Sequence, residues 1–368
     1  MNIRKIEIFK LPIKLKEPFI ISLGELVCAE NIIVRITTSE GLTGFGECSP
    51  FPLINGETID TGFIVGKKIS MGLIGKNPLD TEGCSDLMDK VIFANSSIKS
   101  AISTALYDIA AQNSGLPLYA FLGGKKDKQL VTDYTVSLGD PLKMAEDASK
   151  IIENGFTIVK VKVGRSGRTD IERIRQIRKS IGIDIPVRID ANQGWNKTEA
   201  IDTLKSLGDY NIQFCEEPLP RWEYMDLPEI RKNSPIPVMA DESCSDHNDA
   251  GRLIGISACD YINIKLGKSA GFLNSIRIVH LAEKAGIKMQ IGGFLESRLG
   301  FTASAHLALA SDFIRFIDFD SPLMMSEDPV SGGITYRHGG VIILPESNGL
   351  GAEVDEKYLK TLTGIIIK

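Results

Sequence analysis

Eight short β-rich runs recur along the later part of the chain, and this repeat limits the possible folds more than any other feature. They begin near Asp133 (DYTVSL), Phe156 (FTIVKVKVG), Ile185 (IPVRIDANQG), Ile212 (IQFCEEPL), Pro237 (PVMADES), Tyr261 (YINIKLGK), Lys288 (KMQIGGF) and Phe313 (FIRFIDFD). A mean spacing of roughly 26 residues suits one strand plus one helix per unit. Helical patterns lie between them, as at Asp170 to Ser180 and Glu199 to Leu207. Eight βα units predict an α/β fold, a closed (β/α)8 TIM-type barrel over residues 126–339.

Residues 1–125 have a different texture. Ile3 to Leu11 alternates, and Asn31 to Thr38 is a β-branched run that stops at Ser39-Glu40-Gly41 and returns as Leu42 to Glu47. That is a hairpin. Ala101, Ile102, Ala105, Leu106 and Ile109 then recur at helical spacing, and Gly115 with Pro117 ends the pattern. This segment reads as an α+β capping domain, joined by the closing stretch of about 340–368.

Composition excludes several functions. The 42 basic and 47 acidic residues give a net charge of −5, which argues against a nucleic-acid surface. No apolar run is long enough to span a membrane, and the basic, alternating N-terminus has no signal-peptide core. The six cysteines form no C-x-x-C pair, so neither a zinc site nor a disulfide framework is expected and a reducing cytoplasm fits best.

The chemistry gathers at the strand ends. In such barrels the active site lies at the C-terminal ends of the strands. Strand two ends Lys160-Val161-Lys162, and alternation points both lysines inward. Strand three ends Arg188-Ile189-Asp190, strand four Glu216-Glu217-Pro218, strand five Asp241-Glu242, strand six Asn263-Ile264-Lys265 and strand eight Asp318-Phe319-Asp320. Six charged strand ends at one mouth must neutralise one another or bind something, because unpaired buried charge is costly. Carboxylates from three successive strands, with no His or Cys beside them, favour a hard divalent cation, Mg2+ first. Their alternative is a salt-bridge network with Lys and Arg. Parity does not choose between Glu216 and Glu217. Lys162 and Lys265 stand on strands two and six, opposite each other in an eight-stranded ring, which suggests one base on each face of a carbon. A Schiff-base lysine is the rival reading, but it leaves three carboxylates unexplained.

At these residues the chain resembles the enolase superfamily, in its muconate lactonising enzyme subgroup. The motifs KVK, DANQGW, EEP, ADES and NIKLGK carry the resemblance in the barrel, and Ala105-Leu106-Tyr107-Asp108 with Gly115-Leu116-Pro117-Leu118-Tyr119 carries it in the capping domain. The resemblance implies Asp190, Glu216 and Asp241 as ligands of one Mg2+ and Lys162 and Lys265 as catalytic bases, with Lys160 assisting the substrate carboxylate. It implies proton transfer through a metal-stabilised enediolate, a mechanism general to this superfamily. The D-x-D pair Asp318 and Asp320 resembles that of the dipeptide epimerases, where it holds a free α-ammonium; DYTVS, which contains Thr135, also resembles an epimerase segment. The expected substrate is a dipeptide inverted at its C-terminal residue, L-Ala-D/L-Glu included. Racemisation of N-succinylamino acids or a muconate-type cycloisomerisation is the alternative, and a silent scaffold is disfavoured because no ligand or base is missing. Family analogy further suggests a homo-oligomer.

Substrate choice is expected from two flexible loops, Phe19 to Glu30 and Cys48 to Thr58. Relatives acting on Ala-Glu carry an arginine in the first loop; here that place is Gly24, followed by Glu25. Arg298 is the first candidate to read a glutamate carboxylate instead. Ile20, Ile21, Phe51 and Leu53 could line an apolar pocket, and Gly293 would let the peptide backbone approach closely.

Overall fold

A computed structural model describes all residues 1–368. Eight parallel strands, Tyr134–Val136, Val159–Lys162, Val187–Asp190, Ile212–Glu216, Val238–Ala240, Tyr261–Ile264, Lys288–Ile291 and Ile314–Ile317, pair in sequence order. A parallel bridge between Thr132 and Ile317 brings the last strand back to the first. Each of the eight β-rich runs becomes a strand of this ring. Alternation sorts the side chains: Val159 and Val161, Val187 and Ile189, Ile262 and Ile264 enter the apolar core outside the ring, and their polar neighbours turn inward.

The capping sheet is built from Ile3–Ile21, Gly24–Thr38, Thr43–Cys48 and the C-terminal strand Gly364–Ile367. Both of its faces are covered. Ile6, Ile8, Ile32, Val34 and Ile36 pack on helices in one core, while Leu11, Ile13, Leu15 and Ile33 point the other way into the core shared with the barrel. That two-sided burial explains the unbroken apolar run Ile32-Ile33-Val34. Gly44 and Gly46 let the helix Ser96–Asn113 lie directly on the third strand; a Cβ there would strike the carbonyls of Ala105 and Ala101.

Only the last strand of the closing stretch enters the capping sheet. Val341–Ile343 pairs instead with Thr335–Arg337 and with Leu130–Val131, just before the first barrel strand, because Ile342 buries in the shared core. The first loop also differs from expectation. Residues 19–30 are not a loose loop but the end of a long hairpin, with Phe19 opposite Leu26 and Ile21 opposite Gly24 across a bulge at Lys14–Phe19. Glu47 fastens the two parts together. Its buried carboxylate accepts from the Ser297 and Gly300 amides (2.9 and 2.8 Å), the Ser297 hydroxyl (2.7 Å) and the Asn31 side chain (2.7 Å). It thus sits at the N-terminus of the barrel helix Arg298–Ala308, where an anion is favoured.

Candidate active site

The second to sixth strands deliver their terminal side chains to one buried cluster. Lys162 and Asp190 are register partners, as are Asp190 and Glu216. Lys162 Nζ lies 2.7 Å from Asp190 Oδ2. Lys160, 1% exposed, reaches three carboxylates at once: Asp190 (3.1 Å), Glu216 (2.9 Å) and Asp318 (2.8 Å). Across the ring, Lys265 Nζ meets Asp241 Oδ2 at 2.8 Å. Each candidate base also lies near an aromatic ring, Lys162 by Phe19 (5.7 Å) and Lys265 by Phe294 (5.0 Å).

The electrostatics follow from burial opposed by neighbours. Burial would raise the Asp190 carboxyl, but the Lys162 and Lys160 ammonium groups bring it down to about 2. Asp241 is likewise held far below the usual carboxylate range, burial being overcome by Lys265 and Lys268. For Glu216, burial and the Asp190 charge win over Lys160 and push it up to about 7. Lys265 is raised because Asp241, Glu216 and Glu242 outweigh its burial.

The backbone separates Glu216 from Glu217. Glu216 points into the ring, and its oxygens accept from Asn263 (2.7 Å) and Gln290 (3.3 Å). Glu217 adopts a φ of 37° and turns away, accepting from the Asp241 amide (2.6 Å) and from Ser243. It braces the turn that presents Asp241.

A metal fits the inward cluster on its own chemistry. Buried oxygens of Asn192, Glu242, Asn263 and Gln290, in or just after the barrel strands around the three carboxylates, lack a hydrogen-bond partner. Orphaned acceptors at that density match a divalent cation and its water shell.

A second acidic group stands at the ring closure. One oxygen each from Asp133, Asp318 and Asp320 lies within 4.8 Å of the others. Two of these carboxylates have a cationic partner, Asp318 in Lys160 and Asp133 in Arg188 (2.7 Å), whereas Asp320 has only the Thr135 amide (2.6 Å). Burial and the Asp318 charge push Asp320 up to about 7.

Over the cluster lies a cavity lined by Lys160, Lys162, Lys265, Thr135, Asp318, Asp320 and Gly293 from the barrel. Its roof is apolar: Phe19, Ile21, Leu26, Phe51 and Ile54 come from the capping domain. The roof is tied down by Ile20 N to Ser137 Oγ (2.6 Å), Ser22 Oγ to the Asn192 carbonyl (2.7 Å) and Arg221 to the Ile54 carbonyl.

Most of the residues expected at the site converge here, and two do not. Arg298 is spent on the segment that follows strand eight: its guanidinium bonds Asp328 (2.5 Å) and the carbonyls of Val330, Gly332 (2.6 Å) and Ile334 (3.1 Å), and it does not line the cavity. Gly24 sits at the hairpin tip with a φ of 154°, outside the cavity lining, and Glu25 is exposed. Of the apolar candidates, Ile21 and Phe51 line the roof, Ile20 does not, and Leu53 is exposed. Gly293 is a glycine because a Cβ would strike the Phe301 ring and the Glu296 carboxylate. Sequence reasoning placed Asn192 and Asn263 at strand ends without giving them a role, and missed Lys268 and the aromatic partners of the two lysines. Asn263 was recoverable, since alternation puts it on the same face as Lys265.

Two family models divide the chain: the mandelate racemase/muconate lactonizing enzyme N-terminal domain matches residues 3–123, and the enolase C-terminal domain-like model matches 143–358. A D-Ala-D/L-Ala epimerase of Cytophaga hutchinsonii is 58% identical over the whole of both chains. A crystal structure of a dipeptide epimerase from Cytophaga hutchinsonii, complexed with Mg and the dipeptide D-Ala-L-Val and 58% identical, superposes over both full chains with a TM-score of 0.99. A hydrophobic dipeptide epimerase of Enterococcus faecalis is 38% identical over 95% of this chain and 99% of its own. An N-succinyl Arg/Lys racemase of Bacillus cereus shares the fold at a TM-score of 0.96 with 32% identity, covering both chains fully. These relatives are isomerases. The chain is thus a member of the enolase superfamily, in its mandelate racemase/muconate lactonizing enzyme branch, among its epimerases and racemases.

Proposed function

We propose that the protein is a Mg2+-dependent epimerase of alanyl dipeptides, inverting the C-terminal residue and preferring a small or apolar side chain there. The observation that carries this reading is a floor of two opposed lysines and three carboxylates beneath a roof with no charged group in it.

Each residue has a defined task. Asp190, Glu216 and Asp241 would hold the cation, which supplies positive charge to the substrate carboxylate and to the charge that develops there as the α-proton leaves. Lys162 and Lys265 reach the α-carbon from opposite faces: one accepts the proton, the other returns one, and configuration inverts. Lys160 adds a fixed ammonium beside the substrate carboxylate. Asp318 and Asp320 accept from the N-terminal ammonium, with Thr135 holding Asp320 in place. An N-acylated substrate lacks that ammonium, and a second carboxylate there would be repelled.

The roof decides the side chain. Phe19, Ile21, Leu26, Phe51 and Ile54 offer a glutamate carboxylate no partner, and Arg298 is engaged elsewhere. Ala-Glu is accepted more weakly than Ala-Ala or Ala-Val, because desolvating an unpaired carboxylate is costly. The test is kcat/KM for Ala-Ala, Ala-Val, Ala-Glu and Ala-Lys, with D- and L-alanine at the N-terminus, beside N-succinylamino acids. The expected order puts Ala-Ala and Ala-Val first and Ala-Glu at least tenfold lower. Fastest turnover of an N-succinylamino acid overturns the reading.

A further inference from the structure

The three inward carboxylates share a pattern. One oxygen of each is taken by a fixed donor of the protein, and the other faces the lysines. Asp190 Oδ1 accepts the Asn192 amide (2.9 Å) while Oδ2 faces Lys160 and Lys162. Glu216 Oε1 accepts the Asn263 side-chain amide (2.7 Å) while Oε2 faces Lys160 (2.9 Å), with a longer contact from the Gln290 amide (3.3 Å). Asp241 Oδ1 accepts Lys268 Nζ (2.6 Å) while Oδ2 faces Lys265.

Lys268 is the strongest of these holders. An ammonium has three donors. Those of Lys268 have three acceptors: Asp241 Oδ1, the Asp241 carbonyl and the Asn263 carbonyl at 3.0 Å. It is 4% exposed and absent from the cavity lining, so it does not reach substrate. Lys265, three residues earlier on the same turn, has one carboxylate partner and lines the cavity. The two lysines of NIKLGK therefore have different work.

We infer that Lys268, with Asn263, is a positioning residue that restricts the metal-binding carboxylates to one oxygen each and so selects a small octahedral cation over a larger one. This rests on the assignment of Asp190, Glu216 and Asp241 as ligands. Mg2+ demands compact six-fold coordination and takes carboxylates one oxygen at a time; Ca2+ accepts more oxygens at longer distances and readily takes both from one carboxylate. A second oxygen tied to a buried ammonium is unavailable to the larger ion. Releasing it would let Asp241 chelate through both oxygens.

The test is calorimetric titration of the full-length protein with Mg2+ and with Ca2+, in the wild type, Lys268→Met and Asn263→Ala. The second variant removes the donor of Glu216 Oε1 while Lys160 still pairs with Oε2, and it decides the matter if Lys268→Met does not fold. The ratio of Ca2+ to Mg2+ dissociation constants is expected to fall at least tenfold in each folded variant. A general loss of structure would weaken both ions together and leave the ratio alone. Retained binding with a ratio within twofold of wild type overturns the selectivity role only. A wild type that binds neither ion overturns the ligand assignment and this inference with it.

Discussion

The floor and the roof of the cavity are made by opposite means. The floor is charge on rigid strands: five ends of a parallel ring supply Lys160, Lys162, Asp190, Glu216, Asp241 and Lys265, each pinned by a neighbour under 3.2 Å away. The roof is apolar surface on a hairpin and a connecting segment, tied to the barrel by a few hydrogen bonds of their backbone. Residues that move a proton cannot be exchanged without losing the chemistry. Residues that cover a side chain can be exchanged freely, with only the choice of side chain at stake. That difference makes the reaction easier to read than the substrate.

The largest effects should therefore fall on the floor. Asp190→Asn or Asp241→Asn is expected to cost on the order of 3 kcal/mol in transition-state stabilisation, about a hundredfold in rate, with weakened Mg2+ binding. Steady-state rates and a metal titration check this, and activity that survives EDTA would break it. Lys265→Ala should abolish epimerisation in both directions while one enantiomer still exchanges its α-proton through Lys162. A normal rate in that variant would end the two-base scheme.

An intermediate effect is expected where floor meets roof. Asp318→Asn or Asp320→Asn should cost dipeptide binding roughly 1.5–3 kcal/mol, the range for a hydrogen bond to a charged group. The buried Asp320 carboxyl, raised to about 7, adds a pH signature. Below that pH it is protonated and cannot pair with an ammonium, so kcat/KM for dipeptides should fall as pH drops through about 7. At saturating Mg2+, which keeps Glu216 ionised, Asp320→Asn should remove that step. A pH profile identical in the two proteins would contradict the assignment.

The smallest effect belongs to the roof. Gly24→Arg would place a guanidinium near the cavity rim, but the φ of 154° disfavours any side chain there. A modest rise in Ala-Glu relative to Ala-Val is expected. Arg298→Leu should leave that relative preference unchanged, since its donors serve the carbonyls of residues 330–334. A selective loss of Ala-Glu turnover in that variant would show that Arg298 reads the glutamate carboxylate.

The same asymmetry governs what could be read before the fold was known. Alternation identified the inward faces of KVK and NIK, and eight strand starts spaced a strand and a helix apart implied the ring. Lys268 was illegible because two of its three acceptors, the carbonyl and carboxylate of Asp241, come from another strand, which no local pattern encodes. Glu217 was ambiguous because a positive φ, not parity, turns it away. The hairpin end at 19–26 was mistaken for a loop because Lys14 to Glu17 carries the bulge and breaks the alternation. Arg298 looked available because nothing in its sequence neighbourhood shows that the chain returns to cap it.

The most direct test of the central claim is incubation of the protein with L-Ala-L-Val and Mg2+ in D2O, followed by proton NMR. The account predicts deuterium at the α-carbon of the valine alone, appearing with the inverted diastereomer and absent in EDTA. Exchange at the alanine α-carbon, or no exchange with dipeptides while N-succinylamino acids exchange, would contradict it.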